Sequence, residues 1–320
     1  MIGFVTREIT GLRHDLQGWR TMLRRKRQGF GDLLKRRPTD ARREVAGNLR
    51  LLGLIGVTYG FLYWITSYIP IGFDWISYFG AKVLPQFWMP WTWPLLDFMT
   101  PQLLSAAVIL GAILRIRQRH GSMWRLPLVA LSLPALWILL KSDVDGLALL
   151  GLVTLPLGVP FLLLKPQISA FALLANRRNF LAGAVWGVIT VFIWGLWFTR
   201  LQLVGSEQWH LDWPQDISLF PWGAIIALPL MWLGRGDEDM LMAAGSFATP
   251  HLFPYHFILV MPAIARLSWP WAIFCWAMSF TPLLANWYGP LAWHFGNVFA
   301  LCLWLGLYLQ KRRAARPVAG

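Results

Sequence analysis

Runs of apolar residues that end at small basic clusters dominate this chain and limit what it can fold into. Arg115–Arg119, Arg177–Arg178 and Lys311–Arg316 each sit beside an apolar stretch. That pattern marks the cytoplasmic ends of membrane helices, where Lys and Arg accumulate. Charged residues make up only 14% of the chain and hydrophobic ones 57%, whereas a soluble domain needs roughly a quarter of its residues charged. Most of the surface must therefore face something other than water. The 21 tryptophans agree, because indole favours the membrane–water interface. The expected fold is all-α: a polytopic transmembrane helical bundle in the cell (inner) membrane, of about 8–10 spans or half-spans.

The net charge of +14 would fit nucleic acid if it were spread over one face. Instead, residues 1–50 hold 13 Lys/Arg against 5 Asp/Glu, and the rest of the surplus follows the apolar spans. Topology explains the charge, and no nucleic-acid partner is expected. Residues 1–48 read as a separate piece: Ile2, Val5, Ile9, Leu12, Leu16, Trp19 and Leu23 recur on one helical face, with Arg7, Arg13, Arg20 and Arg24 around it. Such a basic amphipathic helix would lie on the anionic cytoplasmic leaflet, or pack on a partner subunit or on the chain's own cytoplasmic loops. The absence of a continuous apolar core there argues against a cleavable signal peptide. Residues 49–310 form the expected transmembrane domain and 311–320 a basic cytoplasmic tail.

Charge parity orders the spans. One runs out at about 51–68, followed by a Trp-, Pro- and Phe-rich outer segment at 69–100. Further spans are expected at about 101–114 and 126–140, with a broken return passage over 147–175. Others follow at about 180–198 and 219–233, then a half-helix, then 257–266, 271–284 and 291–309. Both termini fall on the cytoplasmic side. Cys275 and Cys302 lie inside apolar spans without metal-site spacing, and no metal or certain cofactor is expected.

Ionisable groups at membrane depth cost a few kcal/mol and tend to face a cavity or a partner. Lys165, in "LLLKPQISAFALLANRR", follows an apolar turn and precedes a proline. It either snorkels to cytoplasmic headgroups or forms, with Gln167, a cationic pocket suited to phosphate. Asp74, flanked by Trp75 and near Tyr78, is either a loop aspartate or a carboxyl whose raised pKa suits a general base. Asp143 and Asp145 form an acidic pair that could line a pocket, hold a cation or solvate a turn. His251, Tyr255 and His256 lack metal spacing and read as pocket lining or interfacial anchors. Trp209, His210 and Trp213 form a weak sugar-stacking set.

In order along the chain, "DWISY" (Asp74–Tyr78), the Pro/aromatic stretch "FWMPWTWPLL", "KPQISAFALLANRR" and "ATPHLFPY" resemble the GT-C class of integral-membrane glycosyltransferases. The likeness is to the polyprenyl-phosphate-sugar-dependent group of glycosyltransferase family 87, often mannosyltransferases. The chain is short for that group, carries "KSDVDG" where relatives have a Gly-Gln/Asn-x-Asn turn, and adds the basic N-terminal segment. The resemblance implies a groove for a lipid-linked sugar donor, Asp74 as catalytic base at the outer face, and Lys165 with Gln167 on the donor phosphate. It implies transfer of a sugar, such as mannose, from the polyprenyl phosphate to an acceptor. A non-catalytic scaffold or accessory subunit of a larger membrane complex is the alternative.

Overall fold

The computed structural model describes residues 74–84, 88–200 and 213–314, together with Gly53. The chain divides into two compact units, Met1–Val57 and Thr58–Gly320, and every element described below belongs to the second. The amphipathic segment 1–48, the span expected at about 51–68, Trp209, His210 and the tail from 315 onward lie outside the described residues. Every regular element among the described residues is helical.

A π-helical turn, Trp75–Gly80, and a 3-10 segment, Pro90–Leu95, open the described chain. Helix α1, Pro101–Gln118, starts at Thr100, whose hydroxyl accepts from the Leu103 N–H at 3.1 Å, with proline in the first turn. It continues past the expected end at 114 because Arg115 turns inward to an acidic loop instead of out to solvent. Eighteen residues make it about 27 Å long.

The span expected at 126–140 is instead two helices, α2 (Leu126–Ala130) and α3 (Leu133–Lys141), bent by 60°. Ser132 caps a new helix by accepting from the Ala135 N–H, and Pro134 lies in its first turn, so the first helix cannot run through. Helix α3 ends where Ser142 enters the left-handed region at φ 55°.

The return passage expected over 147–175 is corrected most. Helix α4 (Asp145–Val153) runs alongside α1 in the same direction: Gly146 meets Val108, Leu149 meets Gly111, and Gln118 Nε2 donates to Val153 O at 3.0 Å. A turn and the short α5 (Val159–Leu162) then bring the chain back, so that Lys165 lies 2.7 Å from Asp143. Residues 145–165 thus make an apolar hairpin that leaves and rejoins one place. Its two arms touch at glycines: a Cβ on Gly158 would stand 2.1 Å from Gly151 O, and one on Gly151 would stand 2.3 Å from Leu162 N. Only hydrogen fits there.

Helix α6 (Pro166–Ser169) and the 3-10 segment Ala170–Ala175 carry the chain toward α7, Arg177–Trp194. Helix α7 buries only Asn179 and Thr190, while Phe180, Val185, Val188 and Phe192 are exposed. Polar groups inward and apolar groups outward invert the arrangement of a helix in water. Helices α8 (Ala224–Gly234), α9 (Glu238–Gly245), α10 (Trp269–Met278), α11 (Ala285–Tyr288) and α12 (Gly296–Ala314) follow. The span expected at 257–266 is not an α-helix. Pro254 and Pro262 each stand in the first turn of a 3-10 segment, Pro254–Leu259 and Met261–Arg266, and both segments are almost wholly buried.

Among the described residues, one helix, Pro290–Ala314 (α12 with its 3-10 lead), is long and apolar enough to cross a membrane. The bent α2–α3 pair makes a second if counted as one span. Lys311–Ala314, expected in the tail, continue α12.

An ion network ties the far end of α1 to the N-cap and first turn of α9 and to Arg266. Arg115 meets Asp239 at 2.6 Å and Glu238 at 2.8 Å, and Arg119 meets Asp237 at 3.0 Å. Arg266 meets Asp239 at 2.6 Å and Asp237 at 2.7 Å. Burial alone would raise the Asp239 pKa, but Arg115, Arg119 and Arg266 together hold it well below the usual carboxylate range.

Candidate functional site

At the opposite end of α1 a cleft gathers residues from segments far apart in sequence. Asp74 and Tyr78 come from the first π turn, and Trp88 and Met89 from the strand-like link after it. Lys141 comes from the end of α3, Leu164–Gln167 from the hairpin's return, and Trp213, His251, Phe253, Tyr255 and His256 from the later loops. Of the residues singled out in the sequence, Asp74, Tyr78, Lys165, Gln167, Trp213, His251, Tyr255 and His256 line this one cleft. Asp143 and Asp145 do not: both are fully buried behind Lys165.

The positions follow from local chain geometry. The left-handed Ser142 ends α3 so that Lys141 faces the cleft while Asp143 passes behind it. The Asp143 carboxylate accepts from the Val144 N–H at 2.6 Å and from Lys165 Nζ at 2.7 Å; Asp145 lies 3.8 Å from Lys165. This ion pair closes the base of the hairpin. It rules out the snorkelling alternative for Lys165, which is 6% exposed. The ammonium also lies over the Trp88 ring at 4.6 Å, a favourable placement for a desolvated cation. The proline after Lys165 removes one backbone donor where the chain turns, and Ser169 Oγ donates to Lys165 O at 2.6 Å.

Asp74 is 4% exposed and lies 3.2 Å from Lys141 Nζ. Burial, then the neighbouring Asp143, push its pKa up to about 7, against the opposing pull of Lys141 and Lys165. Asp74 and Asp143 lie close enough to repel when both are ionised, which favours a proton on one of them. Asp143 is the one kept ionised: burial would raise it, but Lys165 and Lys141 outweigh burial and lower it. Asp145 is pushed well above the usual carboxylate range, by burial first, against the pull of Lys165 and with Asp143 and Asp74 adding to the rise, so Asp143 is the ionised carboxylate that Lys165 grips. A carboxyl that exchanges its proton near neutral pH is suited to general acid–base work.

On the other wall, His251 Nδ1 lies 2.8 Å from Asp216 Oδ2, and Asp216 Oδ1 accepts from the Ser218 and Leu252 N–H groups, each at 3.0 Å. Burial opposes ionisation of Asp216, but these bonds, His251 foremost, hold its pKa below the usual value. The carboxylate therefore fixes the orientation of the imidazole.

Beyond Lys141 lies a second chamber of about 250 Å³, lined by Trp137, Lys141, Trp213, Gln215, Phe253 and Tyr255. Lys141 Nζ sits over Tyr255 at 4.4 Å, between the two spaces. Lys141 and Asp216 are site residues that the sequence does not single out. Lys141 sits in "KSDVDG" and Asp216 in "DWPQD", and both look like solvated loop charges until the fold brings them inward. Among the described residues no three His, Cys, Asp or Glu side chains converge as a metal site would need. Comparison with protein-family models, curated proteins and solved structures finds no match for the chain.

Proposed function

We propose that the chain is a polytopic membrane enzyme of GT-C type that moves a sugar from a polyprenyl-phosphate donor to an acceptor hydroxyl at the outer membrane face. The observation that carries this reading is the meeting of Asp74, Lys165 and Gln167 in one cleft, from segments about ninety residues apart. The outward apolar face of α7 supports a lipid surround, and both termini would then be cytoplasmic.

In this reaction Asp74, ionised, takes the proton of the acceptor hydroxyl as its oxygen attacks the anomeric carbon. The bond from that carbon to the phosphate oxygen breaks, and its electron pair leaves with the polyprenyl phosphate. Lys165 stands where that charge develops, in a desolvated wall that strengthens the attraction. The aromatic chamber beyond Lys141 offers ring faces to an acceptor sugar, and Lys141 holds the Asp74 carboxylate toward it.

One observation favours the alternative of a non-catalytic scaffold. Lys165 already closes the hairpin through Asp143, which is a complete structural role. Purified protein given polyprenyl-phosphate mannose and a lipid acceptor separates the two. Transfer that disappears in Asp74→Asn, with cooperative unfolding retained, supports the enzyme; equal transfer in Asp74→Asn removes the proposed mechanism.

A further inference from the structure

Among the buried polar atoms around the cleft that lack a hydrogen-bond partner, His256 Nε2 is a donor with a defined direction. The ring's Nδ1 accepts a hydrogen bond from the Phe253 backbone N–H at 3.2 Å. An atom that accepts from an N–H carries no proton, so the ring proton must sit on Nε2. His256 is 1% exposed, lines the cleft with Lys165, and its Nε2 has no hydrogen-bond partner among the described residues. The ring is wedged edge-on against Tyr255, with centroids 4.5 Å apart, and against Phe253 at 6.0 Å, so packing restrains it from turning to find a partner elsewhere. Gln167 Oε1, on the same cleft, is also buried without a partner.

A buried donor left empty is costly in a folded chain, and it points to an acceptor supplied from outside. The adjacent Lys165 ammonium narrows what that acceptor is: an oxygen carrying negative charge. The unpartnered carbonyl of Gln167 adds a place for a hydroxyl donor. We propose that His256 Nε2–H and Lys165 Nζ together bind the oxygens of a phosphate ester, with His256 as a binding residue whose tautomer is set in advance by Phe253. This site rests on the transferase reading for its place in a reaction, but not for its existence. The phosphate could arrive as a lipid headgroup or as free phosphate, and the two sources present the same oxygens.

The test uses the full chain in lipid nanodiscs, labelled with ¹⁵N-histidine, and three probes: undecaprenyl phosphate, inorganic phosphate and undecaprenol. The Nε2–H resonance of His256, assigned by its loss in His256→Phe, is expected to move with undecaprenyl phosphate and to stay with undecaprenol. A shift with inorganic phosphate as well shows that the headgroup alone suffices. A shift with inorganic phosphate only assigns the site to free phosphate. Undecaprenyl phosphate binding should weaken about ten- to a hundredfold in His256→Phe, the range for a hydrogen bond to a charged group, and recover in part in His256→Gln, which keeps a donor. An unmoved resonance with both phosphates, or an equal shift with undecaprenol, overturns the site; the wild-type spectra decide this even if a variant folds poorly. Phosphate binding without sugar transfer would keep this site and remove the transferase reading. Transfer with unchanged donor KM in His256→Phe would do the reverse.

Discussion

Two charged clusters stand at opposite ends of α1, and they are built differently. At one end three arginines grip Asp237, Glu238 and Asp239, and each carboxylate has a cation within 3.0 Å. Guanidinium stays charged at any relevant pH and matches carboxylate geometry, so every carboxylate of this network stays ionised and paired. At the other end the cations are lysines and the carboxylates outnumber them. Asp145 has no hydrogen bond, Asp74 titrates near neutrality, and a cleft opens beside them. The first cluster is a rivet. The second is held short of full satisfaction, which is the condition under which a carboxyl can exchange a proton or a cation can take a ligand.

Breaking the rivet should cost most. Arg115→Met leaves Asp239 and Glu238 short of their buried partner and is expected to lower stability by about 3–5 kcal/mol, read from denaturant unfolding in detergent. A loss below about 1 kcal/mol would mean the arginine network is not structural. Lys165→Met should cost less, about 2 kcal/mol, because the carboxylates it abandons can take up a proton. Adding Asp143→Asn to Lys165→Met should restore most of that loss without restoring phosphate binding. If the pair of changes restores neither, Lys165 does more in the hairpin than balance charge. Gly158→Ala, which forces a methyl against Gly151 O, is expected to cost about 1–3 kcal/mol and to loosen the base of the hairpin; hydrogen exchange of the Leu162–Leu164 amides should speed up.

The pH dependence sharpens the contrast further. Asp74 binds its proton more tightly folded than unfolded, so its contribution to stability is complete below about 3.8 and is lost as pH rises to about 7. Asp239 is shifted the other way, so its contribution is present at neutral pH and is lost only in strong acid. Asp74→Asn should therefore flatten the stability profile between pH 4 and 7, while leaving the acid limb to the arginine cluster. A slope that persists unchanged in Asp74→Asn would assign that titration to another group. The smallest effect belongs to the exposed pair of Lys82 and Asp97: Lys82→Ala should stay within about 0.5 kcal/mol of wild type in the same unfolding measurement.

The sequence made the expensive residues visible and the path of the chain much less so. Asp74 and Lys165 stood out because an ionisable group among apolar neighbours is rarely accidental, and both do line the cleft. The hairpin is not legible in the sequence because "GLALLGLVTLPLGVPFLLL" carries no charge to mark its turn, and Gly151 meeting Gly158 has no periodic signature. Residues 257–266 read as a span because a wholly buried 3-10 segment and a helix are equally apolar. Proline at 254 and 262 was the available warning. Lys141 has no sequence signal of its own, since only the left-handed turn at Ser142 swings it inward. His256 stands out in the sequence only as a pocket-lining or anchoring candidate, because its tautomer depends on a backbone hydrogen bond that no sequence pattern encodes.

The rate of sugar transfer from a polyprenyl-phosphate donor, followed across pH 5 to 9, tests the reactive reading of the second cluster most directly. If Asp74 is the base, the rate rises as pH passes through about 7, and Asp74→Asn removes the transfer while Arg115→Lys leaves the midpoint where it was. A rate that is flat across that range, and equal in Asp74→Asn, would make the second cluster as structural as the first.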